Sequence, residues 1–503
     1  MKKILIFSTF AALLSTGCKK YLDVNEDPRT PQLVTAESLL PPMLERITNG
    51  IGLDARFTSK YVQNFANPAT FDVFEGHGPA SPLQGTELWS TMYLRLGKAV
   101  DQMIADAEAN EKWNYGGIAK ALRAWGWQTC TDHFGEMILK EAWIDDKYIF
   151  NYDTQEEIYA EVEKNCMEAL EYFRKPTTKP ILPSSDIMFA GNKDRWIRFT
   201  YGILARNAHH ISNKASYDPA KVIEYCDSSL RSNADNAAID HLGTITANSN
   251  AMGALRANYN SYIQSSTILK MLNGYHRSVS VVDPRINSML VKSADGNFYG
   301  ADPTFGDLNA LPATNVKRIP NIQGATVGTN ANRYLFQSTT RMPIMTYFEI
   351  QFMKAEAAFK ASNPTLAYNA YREGVDKAID FVNVYGAVPV TAPEKTAYLA
   401  SASVAQTSGD LRLSDIMSQK YIALWGWNFE ETWVDLRRYD YDTLVFRGYT
   451  IPVLERLNIN NGGKLVQRFK PQNTEFLYNV AALTALGAFS ADYHTKEMWF
   501  TQP

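Results

Sequence analysis

The feature that most constrains how this chain folds is a pair of helical segments at residues 346–380, separated by a short break. The first segment, FEIQFMKAEAAFKA, is preceded by Thr346 and has Glu349 three residues later. This is the pattern of a capping box, which satisfies the free amides at a helix start. Asn363-Pro364 then interrupts the helical pattern, because proline is poorly tolerated inside a helix.

Small residues in both segments predict that the two helices approach closely. Five alanines stand at close-packing positions: Ala355, Ala357, Ala358, Ala367 and Ala370. One hairpin cannot bury its own apolar face, so several pairs have to stack, as tetratricopeptide repeats do.

Helical patterns continue through most of the chain. In DTQEEIYAEVEKNCMEALEYF we assign the capping box to Asp153 and Glu156, and the apolar residues that follow recur at helical spacing. DPAKVIEYCDSSL begins with Asp218 as the cap and Pro219 at the first helical position, where a missing amide costs nothing. Similar periods lie at 86–109, 116–130, 194–213, 365–380 and 413–428. We predict a mainly α fold of tetratricopeptide-like helical hairpins with long irregular loop excursions.

Two long stretches, residues 57–85 and 273–340, do not follow a helical pattern and mix aromatic residues with Gly and Pro. Such spans are uncommon in compact proteins and are usually functional or disordered. Their aromatic content favours ordered loops. Binding residues concentrate in loops on a rigid scaffold, and rings flanked by polar groups suit a ligand surface. We predict these ligand-binding residues: Asn64, Asn67, Phe71, Phe74, His77, Tyr275, His276, Arg277, Tyr299 and Phe305.

The large aromatic residues of the helical segments have a different predicted role. Helices that bury one another use their rings in the core, so we expect Trp89, Tyr93, Trp425 and Trp427 to be packed inside the body.

The N-terminus, MKKILIFSTFAALLSTGC, has the three parts of a secretory signal: a positive start, an apolar run from residue 4 to 14, and small residues. The apolar run is too short for a membrane-spanning helix, which needs about 20 residues. An ordinary signal peptide cleaved after Gly17 is one interpretation. We favour a bacterial lipobox, Leu14 to Cys18, in which Cys18 is acylated and becomes the mature N-terminus.

The resulting organisation has three parts. Residues 1–17 form the signal peptide. Residues 18–35 form the lipidated cysteine and an extended tether that contains two prolines, and residues 36–503 form one domain. The formal net charge is −3, and loss of Lys2 and Lys3 with the leader takes it to −5. This balance gives no reason to expect a nucleic-acid partner.

Three cysteines remain once Cys18 carries lipid: Cys130, Cys166 and Cys226. An odd number cannot form a closed disulfide framework. Three buried thiols are the favoured interpretation, and one disulfide with a spare thiol is the alternative. The seven histidines are scattered, without a His-x-x-x-His or Cys-x-x-Cys pair, so we predict no metal site and no cofactor.

The sequence carries none of the common catalytic motifs, and we predict that the protein is not an enzyme. Asp132-His133 with Glu136 could be an acid–base cluster, but a loop after a helix is the favoured interpretation. Glu430, Glu431 and Asp435 lie beside a Trp and two Arg residues, which indicates a structural ion-pair cluster. Paired carboxylates for glycoside hydrolysis need only a spatial separation, so a surface glycosidase stays open as an alternative.

Several segments, taken in order, resemble SusD/RagB-type lipoproteins, in particular SusD-like nutrient-binding outer-membrane lipoproteins. The segments that carry the resemblance are CKKYLDVNEDP (18–28), LWSTMY (88–93), DHFGEMILKEA (132–142), IMTYFEIQFMKAEAAF (344–359), IMSQKYIALWGWNFEETWVDLRRYDY (416–441) and RFKPQNTEFLYN (468–479).

The resemblance implies a single helical body, a lipid anchor in the outer membrane and partnership with a SusC-like TonB-dependent transporter. It also implies an oligosaccharide or peptide ligand that is held and not cleaved. Such surface lipoproteins often carry acidic residues soon after the cysteine, whereas here Lys19 and Lys20 come first. The occupied face of the membrane therefore stays open, although the cell exterior is favoured. A helical-repeat scaffold that binds only proteins is a further alternative.

Overall fold

The structure, a computed structural model, describes residues 34–68, 71–305, 315–323, 334–386 and 388–503. The predicted signal peptide, Cys18 and nearly all of the predicted tether lie outside the described residues. Within the described ranges, no helix combines the length and apolar character needed to cross a membrane.

Helices account for most of the described secondary structure. The first half contains α1 Ala36–Tyr61, α2 Glu87–Ser90, a π-helical segment Thr91–Leu96, α3 Gly97–Ala109, α4 Trp113–Phe134, α5 Gln155–Arg174, α6 Lys193–His210, α7 Pro219–Ser228, α8 Ser266–Leu272 and α9 Ile286–Met289. The second half contains α10 Tyr347–Lys360, α11 Pro364–Tyr385, α12 Ala392–Leu399, α13 Leu413–Leu424, α14 Phe429–Arg438, α15 Asn473–Tyr478 and α16 Val480–Leu486.

The remaining elements are short. One-turn 3-10 helices lie at Pro183–Ser185, Asn233–Asp235, Thr246–Asn248, Ala254–Arg256, Tyr275–Arg277, Leu454–Arg456, Ile459–Asn461, Tyr493–Thr495 and Trp499–Thr501. Four strands, β1 Phe65–Ala66, β2 Ala237–Ile239, β3 Ile263–Gln264 and β4 Met342–Met345, form two antiparallel pairs, β1 with β3 and β2 with β4. The predicted irregular stretches are thus shorter than expected, since α1 continues to Tyr61 and α9 lies inside the second stretch.

The helices pack as antiparallel neighbours along the chain, which confirms the prediction of a mainly α fold. α3 packs on α4, α4 on α5, and α6 on α7, and α10 packs along α11 as the alanine positions predict. α10 also contacts α7 and α13, so it joins the two halves of the fold. One apolar core cluster runs from Ala36 to Phe469. This continuity supports the single domain at 36–503, which stays a prediction.

Most of the predicted helix starts are confirmed. Thr346 and Glu349 form the capping box of α10, Asp218 caps α7, and Asn363 caps α11 just before Pro364. The prediction for the capping box of α5 is wrong by one residue, because Thr154 and Glu157 form it. Asp153 is not available for capping, since its carboxylate accepts the amides of Leu139 and Lys140 at 2.9 and 2.8 Å.

Two further predictions about helix bounds are wrong. The helical period at 413–428 breaks after Leu424, where Gly426 adopts a left-handed φ of 85° before α14 starts. Asp132 and His133 belong to the last turn of α4 and not to a loop. The buried partners of His133 hold it there, because its two ring nitrogens contact Glu430 and the Gly85 carbonyl oxygen at 3.0 and 2.9 Å.

Three of the four aromatic residues predicted to lie in the core do so, and so do the three thiols. Trp89, Trp425 and Trp427 are buried, and Tyr93 is half-buried. The three thiols, Cys130, Cys166 and Cys226, are free and buried.

Helix α4 has glycine where side chains of α5 and of the π-helical segment pack closely against its backbone. A Cβ atom at Gly116 or Gly117 would lie 2.7 Å from a ring carbon of Tyr172 or Phe173 on α5. A Cβ at Gly126 would lie 2.5 Å from the Met92 sulfur in the π-helical segment. Glycine weakens a helix interior by about 1 kcal/mol relative to alanine. Here the missing side chain permits the close approach of the neighbouring rings.

A buried network of charged side chains connects the repeats, as predicted for the cluster around Glu431 and Asp435. Lys420 on α13 contacts Glu431 and Asp435 on α14 at 3.1 and 2.8 Å. Arg438 contacts Glu356 on α10 at 2.7 Å and Asp435 at 2.6 Å. Unpaired buried charges are very unfavourable, so these pairs fix how α10, α13 and α14 sit against each other.

Histidines on α6 extend this network to α4 and α10. His209 contacts Glu356 at 2.9 Å, whereas His210 contacts Asp132 at 3.1 Å and Glu431 at 3.0 Å. Burial disfavours the charged form of His210, but Glu431 and Asp132 outweigh it and raise the pKa of His210 to about 9. His210 is therefore protonated at neutral pH inside the core.

We expect Gly117→Ala to destabilise the protein. The added methyl group meets the buried Phe173 ring at 2.7 Å, and overpacking of this kind costs about 1–3 kcal/mol. The gain in helix propensity offsets only about 1 kcal/mol of that cost. Chemical denaturation should show a lower free energy of unfolding. Gly409→Ala is the control, because a Cβ there meets no atom within 4 Å. A Gly117→Ala variant as stable as the wild type would contradict the close contact.

We expect His210→Gln to cost most stability at low pH. The pKa of His210 is raised from 6.5 to about 9 in the folded state. Its ion pairs therefore stabilise the fold fully below pH 6.5, and this contribution is lost as pH rises through 9. The shift corresponds to at most about 3 kcal/mol. Urea unfolding of wild type and variant at several pH values measures the difference.

His241→Gln is the matched control for this titration. Burial lowers the pKa of His241 to about 4, so its difference from wild type should be constant between pH 7.5 and 9.5. The His210→Gln difference should shrink over the same range. A constant difference for both variants would show that His210 is neutral in the folded protein.

Candidate functional site

The structure brings the two irregular aromatic stretches together. Strand β1 of the first stretch pairs with β3, just before the second stretch, with Phe65 opposite Gln264. Residues of the second stretch then add to the same small sheet, since the Ser266 amide donates to the Ala301 carbonyl oxygen at 2.7 Å. The Ala301 amide donates in turn to the Gln264 carbonyl oxygen at 3.0 Å. Main-chain hydrogen bonds therefore position both stretches.

Residues 449–461 form a third part of this region, which the sequence did not predict. The Gln63 side chain donates to the Thr450 carbonyl oxygen at 2.6 Å. The Asn458 amide donates to the Gly76 carbonyl oxygen at 2.9 Å, and the Asn461 side chain donates to the His77 carbonyl oxygen at 2.9 Å. The available signal was the lack of a helical period in YTIPVLERLNINNGGK, which is rich in Asn and Gly.

Arg456 lies between two of the predicted ligand-binding rings. Its guanidinium carbon is 5.7 Å from the centre of the Phe71 ring and 5.1 Å from the centre of the Phe305 ring. Phe305 is 38% exposed, and Phe71 is half-buried. We call Phe71, Arg456 and Phe305 the ring cluster. It offers aromatic surface beside a fixed positive charge, and each cation–π contact contributes about 0.5–1 kcal/mol at an exposed site.

Polar groups lie beside the ring cluster on the first stretch. The Glu75 carboxylate accepts the amides of Asn67 and Asp72, both at 2.8 Å. Asp72 forms an ion pair with Lys60, whose ammonium group is 5.0 Å from the centre of the Tyr262 ring. Burial and then the charge of Asp72 raise the pKa of Glu75 to about 7. At neutral pH this carboxyl can therefore take or give a proton, which changes its hydrogen-bonding role.

Three of the predicted ligand-binding residues are buried and hold the first stretch on the body. The Asn64 side chain accepts the Gly426 amide at 3.0 Å. The ring of Phe74 lies 4.9 Å from that of Phe57. His77 contacts the Tyr449 hydroxyl at 3.1 Å, and burial lowers its pKa to about 3. Their side chains are enclosed within the described structure.

Tyr275, His276 and Arg277 form a separate group against the connection between α12 and α13. His276 is buried and contacts the Ser403 carbonyl oxygen at 3.0 Å. Arg277 forms ion pairs with Asp410 and Asp415 at 2.5 and 2.6 Å. Tyr275 remains 55% exposed. Among the described residues, no hydrogen bond or ring contact joins it to the ring cluster.

Tyr299 lies nearer to the ring cluster along the chain. Its hydroxyl donates to the Asp295 carboxylate at 2.9 Å, and its carbonyl oxygen accepts the Gln264 side chain at 2.6 Å. It is half-buried and stands two residues before Ala301, which belongs to the small sheet. Tyr299 therefore shares the loop that presents Phe305.

The cluster of Asp132, His133 and Glu136, considered above as an acid–base group, forms ion pairs within the protein. Asp132 and His133 are buried in the network around Glu430 and His210, and Glu136 forms ion pairs with Arg468 and Lys496. Across the described ranges, no group of three His, Cys, Asp or Glu residues could hold a metal ion.

The architecture is that of a class of helical-repeat proteins already seen in solved structures. A SusD/RagB family protein from Bacteroides thetaiotaomicron has 20% sequence identity and a TM-score of 0.72, over 93% of this chain and 99% of that one. A SusD homolog from Bacteroides fragilis has 18% identity and a TM-score of 0.74, over 93% and 100%. A chitin-binding SusD homolog from Flavobacterium johnsoniae has 17% identity and a TM-score of 0.68, over 93% and 98%. These similarities show a shared fold.

The family follows from the sequence itself. The SusD-like family model described as "Starch-binding associating with outer membrane" matches residues 28–470. The chain therefore belongs to the SusD-like family of outer-membrane-associated binding proteins. A comparison with curated proteins finds no match.

Proposed function

We propose that the protein is a cell-surface lipoprotein that captures an oligosaccharide or oligopeptide and delivers it to a SusC-like TonB-dependent transporter. The observation that carries the proposal is the ring cluster. Residues from three separate segments place two aromatic rings on either side of Arg456. Rings with a few fixed polar groups beside them suit a sugar ring or a peptide side chain.

The ligand site in this proposal consists of the ring cluster with Asn67 and Tyr299. Asn67 supplies a polar side chain four residues before Phe71, and the buried carboxyl of Glu75 holds the Asn67 amide in place. The aromatic rings supply contact area at low conformational cost. The buried residues Asn64, Phe74, His77 and His276 act indirectly in this proposal, by holding their loops.

The proposed anchor is acylated Cys18, which lies outside the described residues. Each buried methylene of an acyl chain contributes about 0.8 kcal/mol, so several chains give durable attachment. The proposed partner is the transporter, because a binding protein outside the membrane needs another protein to carry its ligand inward. A stable complex of this kind should bury well over about 1,000 Å².

We expect Phe305→Ala and Tyr299→Ala each to weaken ligand binding about tenfold. Loss of one ring from a binding site typically costs about 1–3 kcal/mol, and neither ring lies in the main core. Calorimetry of residues 24–503 against a glycan panel and a peptide pool measures the affinity, and thermal unfolding checks the fold. Phe489→Ala removes a ring that is 53% exposed elsewhere and is the matched control.

Tyr275→Ala distinguishes two placements of the site. Unchanged affinity in the Phe305 and Tyr299 variants, together with loss in Tyr275→Ala, would move the site to residues 275–277. Release of shortened sugars from the panel would instead favour a glycosidase, and failure to bind any small ligand would favour a protein-binding scaffold.

We expect Cys18→Ala to release the protein from membranes or to leave it as an uncleaved precursor, because the acylated thiol is the proposed attachment point. Labelling of cells with a fatty-acid analogue measures the modification. Cys166→Ala is the control, since this thiol is buried in α5. Equal labelling of the wild type and Cys18→Ala would refute the anchor.

A further inference from the structure

A second aromatic groove lies beside the π-helical segment and shares no residue with the ring cluster. Its volume is 260 Å³, and it lies between Thr91–Leu96, residues 138–150 and α15. Rings form most of its walls: Trp89, Tyr93, Trp143 and Phe150. Gln472, Thr474 and Glu475 place polar groups at the α15 side. Nothing in the ligand site proposed above uses this groove.

Irregular backbone shapes the groove. The π-helical segment Thr91–Leu96 departs from the α-helical hydrogen-bond pattern, and the Trp143 indole donates to the Tyr93 carbonyl oxygen at 2.8 Å. Trp143 itself has a φ of 61°, which is unfavourable for a bulky residue. The Tyr93 hydroxyl donates to the Ile138 carbonyl oxygen and accepts the Ile138 amide, at 2.9 and 2.8 Å. Strained backbone and π-helical turns occur most often at functional sites.

Apolar side chains form an exposed rim around the groove. Leu94 is 68% exposed on the π-helical segment, and Ile144 is 50% exposed beside Trp143. Ile149 and Leu477 are 62% and 60% exposed, and the Phe150 carbonyl oxygen accepts the Asn479 side chain at 2.9 Å. Residues 148–150 and the end of α15 are therefore neighbours. Exposed apolar groups around a groove mark sites of macromolecular contact.

The size and rim of the groove favour a protein segment as its occupant. Pockets for small ligands are usually about 300–1,000 Å³, so 260 Å³ suits one large side chain better than an oligosaccharide. An apolar rim also provides few partners for sugar hydroxyls. The Glu475 carboxylate at the groove disfavours an anionic lipid headgroup but can accept a hydrogen bond from a peptide amide or amine.

The position of the chain start limits how far the groove can lie from the proposed membrane anchor. The Ala36 amide donates to Asp106 at 2.8 Å, so the described chain begins at the far end of α3 from the groove. Gly97, at the near end of α3, faces Trp143. The nine residues between Gly97 and Asp106 span about 14 Å. Cys18 and Val34 are 16 steps apart along the chain and therefore at most about 55 Å apart, so the proposed anchor limits how far the body, with this groove, can lie from a protein in the same membrane.

We propose that this groove is the docking site for an apolar side chain on an extracellular loop of the membrane transporter. The inference rests on the proposed function, because the partner is the transporter named there. Trp143 and Tyr93 form the walls that receive the side chain, and the rim around Leu94 packs against the rest of the loop. A docking site on the α3 side leaves the ring cluster available for ligand.

The test places a photo-crosslinking amino acid, p-benzoyl-phenylalanine, at Leu94 of the full-length lipoprotein in its own cells. Val384 on α11, 75% exposed, is the matched control position. We expect the Leu94 variant to form an adduct with an integral outer-membrane protein. The yield of this adduct should be at least ten times that of any adduct from the Val384 variant. Mass spectrometry identifies the adduct. Leu94→Glu should also lower recovery of that protein in mild detergent at least fivefold.

Adducts with lipid or glycan alone, equal adducts at both positions, or none at Leu94 would overturn the docking site. Ligand affinity of the same variants is measured separately by calorimetry. If no adduct forms at Leu94 in protein that still binds its ligand, the docking site is refuted and the proposed ligand capture stands. If the Leu94 adduct forms but the ring cluster binds no ligand, the proposed ligand capture is refuted and the docking site stands.

Discussion

The relative positions of α10, α13 and α14 depend on the buried ion pairs around Arg438 and Lys420. Arg438 on α14 contacts Glu356 on α10, and Lys420 on α13 contacts Glu431 on α14. A charge left without its partner in the core typically costs about 3–5 kcal/mol. A shift of one of these helices against the others would therefore separate a buried charge from its partner. Apolar packing alone would tolerate small shifts between repeats, whereas these contacts do not.

This rigid body explains why the proposed ligand site and docking groove lie at its edges. Tryptophans of the body are used in packing: Trp125 on α4 and Trp196 on α6 are buried, as are Trp425 and Trp427 between α13 and α14. In the ring cluster, rings reach the surface where the chain leaves the repeats, and the groove beside the π-helical segment adds Trp143 and Phe150 from another irregular stretch. Both surfaces are bounded by irregular backbone that is fastened by hydrogen bonds to the helical body. The proposed surfaces thus draw mainly on residues outside the repeats, with Trp89 of α2 both packing in the core and lining the groove.

Local signals in the sequence predicted the fold well. Capping residues such as Thr346 and Asp218 act within four residues, so their role is visible in the sequence. The start of α5 was misplaced because Asp153 is used by the amides of Leu139 and Lys140, which no local pattern reveals. Asp132 and His133 were placed in a loop because their partners, Glu430 and His210, are distant in the sequence.

The candidate site shows the same limit more strongly. Phe71 and Phe305 were selected for their composition and setting, but Arg456, which joins them, lies in a segment without any motif. Burial also could not be foreseen at His77 and His276, since each is enclosed by residues from distant segments. The ion pairs of Arg277 with Asp410 and Asp415 could not be predicted either, because these partners are also distant in the sequence. Composition marks out the two stretches but does not distinguish their exposed residues from their buried ones.

The pairing of β1 with β3 has a consequence for how such a surface can diversify. The two strands are only two residues long, and they join the irregular stretches through main-chain atoms. Main-chain hydrogen bonds do not depend on which side chain a residue carries. Rings and polar groups further along each stretch can therefore be exchanged while the stretches keep their place. One body could in this way present different surfaces to different nutrients without being refolded each time.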